Sequence, residues 1–280
     1  MIETINISDI DQLEVPQNNN ITLKLLNITF LIILIITIIV LIIYKKNQPY
    51  YTPILTTFSV IALIVFYNIV NTKQTKPKNN KITTLLNSIN DDNYKIFEIN
   101  NFLTDKECDD LIEYTKTQKM LKSKVLSVSG DVISDNRESE QLWIEDSKHY
   151  VVKKIGELSA KITQKPYDHM EYLQFLKYNK GGYFKEHYDP EVNYKSDTNY
   201  RIYTLIIYLN DDFEGGETYF KNLNVSIKPK KGKVVIFKSL DEKGNILTKS
   251  LHQGSEVKSG TKYMCNKWIH LNKCSWLYPS

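Results

Sequence analysis

The stretch Tyr183-Phe184-Lys185-Glu186-His187-Tyr188-Asp189 decides how this chain is read. It lies between Gly182 and Pro190, which mark turns, and its pattern suits a short strand. In a strand, residues two apart share a face, so His187 and Asp189 point the same way and Tyr188 turns away. Seven more stretches after Met170 have the same character: Tyr172–Tyr178, Arg201–Leu209, Glu217–Phe220, Val225–Lys228, Lys233–Lys238, Ser250–Gly254 and Lys262–Leu271. Eight short strands separated by Gly, Pro, Asn and Asp predict a double-sheet jelly roll.

Two further residues complete a chemical pattern. His252 lies in Lys249-Ser250-Leu251-His252-Gln253-Gly254, and Lys262 follows in Gly260-Thr261-Lys262-Tyr263. Two His and one carboxylate that leave coordination positions open form the ligand set of non-haem Fe(II) oxygenases. A 2-oxo acid can fill two of the open positions and leave one for O2. The far carboxylate of 2-oxoglutarate then needs a cation, and Lys262 is the candidate. Each residue alone has a plain structural reading, such as a turn for His187 and Asp189 or a solvated Lys262. The four together, each on a strand-like segment, favour the chemical one.

From about Phe97 onward the sequence resembles the catalytic domain of the prolyl 4-hydroxylase family. The resemblance is carried by Ile96 to Asp109, Leu173-Gln174-Phe175-Leu176-Lys177-Tyr178, Gly182 to Asp189, Arg201-Ile202-Tyr203-Thr204, Tyr208-Leu209-Asn210, Gly215-Gly216-Glu217-Thr218, Pro229-Lys230-Lys231-Gly232 and Asn266-Lys267-Trp268-Ile269-His270. It implies a double-stranded β-helix core, with His187, Asp189 and His252 as iron ligands and Lys262 as partner of the distal carboxylate. Tyr178 matches a tyrosine near the co-substrate. Arg201 and Trp268 match positions lining a peptide groove, and Arg137 matches an arginine of a substrate-facing loop. After Arg137 the chain reads Glu138-Ser139, a departure from the family's Arg-Thr-Ser. The resemblance further implies Fe(II) and 2-oxoglutarate as cofactor and co-substrate. It adds L-ascorbate (vitamin C) as the reductant that rescues oxidised iron, and proline in extended or collagen-like peptides as the substrate.

The 280-residue chain carries a formal net charge of +4, too mild to argue nucleic-acid binding. The basic run Lys228 to Lys233 contains Pro229 and Gly232 and reads as a solvated turn. Heavy use of Ile, Asn, Lys and Tyr suggests an A/T-rich coding genome, a bias common in large DNA viruses and some protists.

The N-terminal quarter differs. Leu25–Tyr44 is apolar almost throughout, long enough as a helix to span a bilayer, and too long and too far inside the chain for a cleaved signal peptide. A second apolar run, Ile54–Val70, predicts a second span over an interfacial helix. The expected organisation is a tail over 1–24, a membrane anchor over 25–70, a Lys/Asn/Thr-rich linker over 71–92 and an oxygenase domain over 93–280. The acidic tail and Lys45-Lys46 place the tail outside the cytoplasm. A helical hairpin would return the catalytic domain to that side, a lumenal location of endoplasmic-reticulum type or on a virus-derived membrane. The lysines Lys73, Lys76, Lys78 and Lys81 pull the other way.

Helices are expected from Thr104 to Gln118, with a Thr104/Glu107 capping box, and from about Ser147 to Thr163. The fold class is thus α+β, a jelly roll with flanking helices behind one or two transmembrane helices. The polar loops Ser127–Glu140 and Glu191–Tyr200 could close over a substrate. Cys108, Cys265 and Cys274 have no metal-type spacing; a Cys265–Cys274 disulfide and free buried thiols both remain open. Two other functions stay in view: the same cofactor chemistry on peptidyl lysine or another side chain, and an inactive anchored peptide-binding module. Lysyl hydroxylases usually carry Arg where Lys262 stands. The intact quartet argues against inactivity. Nothing in the sequence fixes the oligomeric state.

Overall fold

The computed structural model describes residues 2–15, 32, 81–123, 125–127, 130–132, 135–190, 200–241, 243–275 and 277. Except for Ile32, these belong to one compact unit formed by Met1–Pro16 and Lys81–Ser280. The apolar runs expected to span a membrane lie, Ile32 apart, outside the described residues. Among the described residues no helix is long and apolar enough to cross a membrane.

The unit begins with β1 (Ile2–Ile5) and a short helix, α1 (Ile7–Asp11). After the break come α2 (Lys81–Asn87), β2 (Ile96–Ile99) and α3 (Asp105–Lys116). Five short strands follow: β3 (Leu121–Lys122), β4 (Val125–Ser127), β5 (Gly130–Val132), β6 (Arg137–Glu138) and β7 (Glu140–Ile144). Helix α4 (Tyr150–Thr163) leads to β8 (Leu173–Tyr178), β9 (Tyr183–His187) and β10 (Arg201–Tyr208). Then come β11 (Glu214–Gly215), β12 (Thr218–Phe220), β13 (Val225–Ile227) and β14 (Val234–Lys238). The last three are β15 (His252–Gly254), β16 (Val257–Ser259) and β17 (Lys262–His270).

These strands build two main sheets. The larger runs β1-β2-β14-β10-β17-β8-β7-β3, and the smaller runs β13-β12-β15-β9-β6. Side chains from the two sheets meet in the interior. Phe220 of β12 sits edge-on to Phe237 of β14, and the Tyr208 hydroxyl hydrogen-bonds Thr218. This is a jelly roll, and all eight expected strands are present within a residue or two of their expected ends. Strand β17 pairs with β10 on one side and β8 on the other, so it is central and buried along nearly its whole length.

Both expected helices form. The α3 cap is reciprocal: the Thr104 hydroxyl accepts from the Glu107 amide while the Glu107 carboxylate accepts from the Thr104 amide. Helix α4 starts later than expected, at Tyr150, with His149 as its cap. It buries Val151, Val152, Ile155, Leu158 and Ile162, the apolar face read from its periodicity.

One expected boundary is corrected. The linker expectation fails over 81–92, where α2 buries Ile82 and Leu86, and Ile89 behind it is buried too. Part of the tail over 1–24 docks on the unit. Strand β1 adds a parallel strand beside β2, Lys95 pairs with Glu3, and Ile10 is fully buried. Short apolar patterns such as Ile2/Ile5/Ile10 give weak periodicity by themselves and gain their burial only from the tertiary fold. All three cysteines are free and buried, so the Cys265–Cys274 disulfide is absent.

Candidate active site

The smaller sheet brings the two histidines together. In the antiparallel β9–β15 pair, His187 stands opposite His252, and the register shifts just beyond them. Strand β9 ends at His187, so Asp189 lies two residues past the last ladder position, in a bend before Pro190. It still turns to the same side. His187 Nε2 is 3.6 Å and His252 Nε2 is 4.0 Å from Asp189 Oδ1. The three donor atoms lie within 4.8 Å of one another.

Each ligand atom is aimed by its other end. His187 Nδ1 faces the Lys185 carbonyl at 2.8 Å, and His252 Nδ1 faces the Ser250 carbonyl at 2.9 Å. A carbonyl can only accept, so each Nδ1 carries the proton and each Nε2 offers a lone pair. The Thr204 hydroxyl, from β10 of the larger sheet, donates to Asp189 Oδ2 and leaves Oδ1 facing the imidazoles. Phe184 stacks on His187 with ring centroids 3.6 Å apart, and Phe220 and Phe237 pack around His252.

The protonation states suit a metal. Burial, reinforced by the neighbouring His187, pushes His252 down to about 4 and keeps it neutral. Burial alone would raise the Asp189 carboxyl, but His252, His187 and the Thr204 hydroxyl outweigh it and hold it below the usual range. A neutral imidazole at His252 and an ionised carboxylate at Asp189 suit metal ligation. The donor set therefore fits Fe(II).

Lys262 is buried on β17 of the larger sheet. Its Cα partner on β8 is Tyr178, and its ammonium lies 5.4 Å and 5.5 Å from the ring centroids of Tyr178 and Tyr208. The ammonium donates to the Gly216 carbonyl at 2.6 Å. Gly216 has φ +67°, which favours glycine, and a Cβ there would press on Lys262 Cδ at 3.1 Å. Burial pushes the Lys262 ammonium down to about 7, opposed by Glu217. A buried ammonium with one neutral acceptor among the described residues has two more protons to donate, which fits a carboxylate ligand. Lys262, Met264, Asn266, Trp268 and His270 alternate onto the same face of β17, toward the metal site. Asn266 Oδ1 and Trp268 Nε1 on that row are buried and have no hydrogen-bond partner among the described residues.

The other expected residues occupy definite places around this site. Tyr178 is buried, and its hydroxyl faces the Arg137 guanidinium at 3.4 Å. Arg137 is buried as well, donating to Ser139 and lying over Phe184, which stacks on His187. Arg201 lies over the Trp268 ring, 3.6 Å from its centroid, and donates to the Asp189 carbonyl at 3.4 Å. Its fork binds both oxygens of Glu171, at 2.5 Å and 2.9 Å. Trp268 is itself only 4% exposed.

Several residues of the site had no role assigned from the sequence, although Thr204 and His270 fall within stretches that carry the resemblance. Thr204 reads as one more strand residue. Glu171 and His270, which hydrogen-bond each other at 2.7 Å, read as strand ends. Only the pairing of distant strands reveals them. The expected loop Glu191–Tyr200 lies outside the described residues over 191–199. The other loop, Ser127–Glu140, forms the β4–β5 and β6–β7 strands where it is described.

The comparisons agree with this geometry. Residues 173–270 match the 2OG-Fe(II) oxygenase superfamily. A protein of Acanthamoeba polyphaga mimivirus that carries a prolyl 4-hydroxylase name is 34% identical over 196 residues, covering 67% of this chain and 79% of that protein. Prolyl 4-hydroxylase 1 of Arabidopsis thaliana is 30% identical over 197 residues, covering 62% and 68%. Among solved structures, the 2OG complex of a viral collagen prolyl hydroxylase from Paramecium bursaria Chlorella virus-1 is similar at TM-score 0.53 and 32% identity. That match covers 64% of this chain and 97% of that one. The chain is thus an iron- and 2-oxoglutarate-dependent oxygenase, and it belongs to the prolyl 4-hydroxylase family.

Proposed function

We propose that this enzyme is a membrane-anchored peptidyl-proline 4-dioxygenase acting on extended, proline-rich or collagen-like segments. The observation that carries the reading is the His187–Asp189–His252 cluster sharing one roll with the buried Lys262. Iron with 2-oxoglutarate and O2 supplies the oxidising power that converts a proline C–H bond to C–OH, with 2-oxoglutarate leaving as succinate and CO2. The protein's own part is to hold and orient. His187, Asp189 and His252 would hold the metal on one side and leave the other side free. Lys262 would anchor the far carboxylate of the co-substrate, and the Tyr178 and Tyr208 rings around it exclude water from that contact. Ascorbate would keep the iron reduced.

An extended substrate suits this site for a physical reason. Polyproline II has no internal hydrogen bonds and enters a groove at little ordering cost. A folded target would first have to open. The collagen in the name of the viral structural relative points the same way. Arg201, Trp268 and Arg137 would shape the groove: Arg201 and Trp268 form a stacked wall beside Asp189, and Arg137 holds Tyr178 and Phe184 in place.

The anchor is supplied by the apolar runs Leu25–Tyr44 and Ile54–Val70. Both flanks of that region belong to one compact unit, joined by the β1–β2 pairing. This supports an even number of crossings, with tail and catalytic domain on one side of the membrane. The lumenal side, or its equivalent on a virus-derived membrane, is the reading we adopt. Mass spectrometry of (Pro-Pro-Gly)n and poly-proline peptides after incubation with enzyme, Fe(II), 2-oxoglutarate and ascorbate tests the activity. Gain of one oxygen on proline is expected. Oxidation of lysine alone, or of no peptide, would refute it.

A further inference from the structure

Trp143 is an unusual residue to leave in water. It is 41% exposed, and so is its neighbour Leu121 at 57%. They share a face. Leu121 pairs with Gln141 across β3 and β7, and Trp143 is two residues further along β7, so the two are diagonal neighbours. That face is the one carrying the active site, because the Trp143 ring tilts against Trp268 with centroids 5.8 Å apart. Trp268 in turn lies under Arg201, which reaches the Asp189 carbonyl. Trp143 is therefore the exposed end of a stack that starts at a metal ligand.

The strand beneath Trp143 is held firmly. Gln174 donates to Gln141 at 2.7 Å and accepts from Asn266 at 3.1 Å, an amide ladder across β7, β8 and β17. Trp143 pairs with Gln174, Gln174 with Asn266, and Thr204 with Trp268. Three strand spacings and a two-residue offset put the Trp143 backbone about 16 Å from that of Thr204, which holds Asp189. A polyproline II chain rises about 3.1 Å per residue, so it covers that span in roughly five residues.

We propose that Trp143, flanked by Leu121, is a remote substrate subsite that receives a proline ring roughly five residues from the proline being hydroxylated. The proposal rests on the peptidyl-proline reading above. Indole is flat, rigid and apolar, and it stacks on a proline ring with little loss of side-chain freedom. Trp268, beneath its stacked Arg201, is too deeply buried to offer a ring face at this point, which leaves Trp143 to meet the peptide.

The test compares the full-length protein with its Trp143→Ala and Trp143→Phe variants on peptides from a single Pro-Pro-Gly triplet to ten triplets. Trp143→Ala should raise KM for the long peptides roughly tenfold, the usual scale for a stacked aromatic anchor. It should leave kcat, the single-triplet KM and peptide-free 2-oxoglutarate turnover unchanged. Trp143→Phe should recover most of the long-peptide affinity. An equal change at every length, or none, would overturn the proposal. A dimer seen by light scattering that Trp143→Ala dissociates, with long-peptide KM unchanged, would instead make the Trp143–Leu121 shelf an interface between copies and would also overturn it. Quenching of tryptophan fluorescence by poly-proline separates the two readings. Trp143-dependent binding without hydroxylation would refute the peptidyl-proline activity and keep the shelf, whereas absence of binding would refute the shelf.

Discussion

Thr204 on one sheet holds the carboxylate of Asp189, which follows the last strand residue of the other. The hydroxyl takes one carboxylate oxygen and turns the second toward His187 and His252. The metal geometry thus depends on the two sheets keeping their distance. It follows that Thr204→Val should weaken iron binding about ten- to a hundredfold while leaving the fold intact, as expected for loss of a partner behind a ligand. Iron titration with a thermal melt on the same sample checks both halves.

The ligands themselves should behave more sharply. His187→Ala, Asp189→Ala and His252→Ala each leave two donors where three are needed. Each should abolish succinate production. Near-normal turnover in any of them would remove that residue from the metal site.

Lys262 gives a pH signature. Its pKa is down at about 7, and a carboxylate held there, the role we propose for it, would raise it. Below pH 7 the charge is already present. Above it, binding must take up a proton, so affinity for 2-oxoglutarate should fall by up to about tenfold per pH unit. Lys262→Arg, always charged, should flatten the profile while weakening binding through its larger head group. Lys262→Ala should raise the 2-oxoglutarate KM with little effect on iron binding.

The Glu171–Arg201–His270 cluster should govern acid stability. Burial works to raise Glu171, but Arg201 and His270 outweigh it and bring it down to about 2 from an ordinary 4.5. A carboxylate lowered in the folded state contributes stability that is fully present above about 4.5 and lost as the pH falls toward about 2. Glu171→Gln deprives Arg201 of this carboxylate and should cost about 3–5 kcal/mol at neutral pH. The wild-type loss across that acid window should shrink in the variant. Melts between neutral pH and that window measure both.

How much was legible in the sequence depended on range. The eight strands, the α3 capping box and the apolar face of α4 are local patterns, and each was readable from spacing. His187, Asp189, His252 and Lys262 were readable because their residue types are chemically specific and they fall on strand-like segments. What escaped was created by long-range pairing. Glu171 and Thr204 are chemically ordinary until β10 and β17 bring them to the site. The docking of Ile2–Ile5 on β2 was invisible because a four-residue strand carries no periodicity beyond its own ends. Asp146, which pairs with the fully buried Lys267, looks in sequence like a loop carboxylate.

The docked tail makes its own prediction. Ile10 is fully buried in the unit, so Ile10→Ala should destabilise the catalytic unit by about 2–5 kcal/mol although it lies far from the site in sequence. A melt unchanged by this substitution would show the tail to be detached in solution.

The most direct measurement follows oxygen. Full-length enzyme is supplied with Fe(II), 2-oxoglutarate, a (Pro-Pro-Gly)n peptide and isotopically heavy O2, and both products are weighed. One heavy atom should appear in succinate and one in peptidyl 4-hydroxyproline, in equal amounts, with neither product formed by His252→Ala. Heavy succinate with an unmodified peptide, hydroxylation on a residue other than proline, or product formed by His252→Ala would contradict the account.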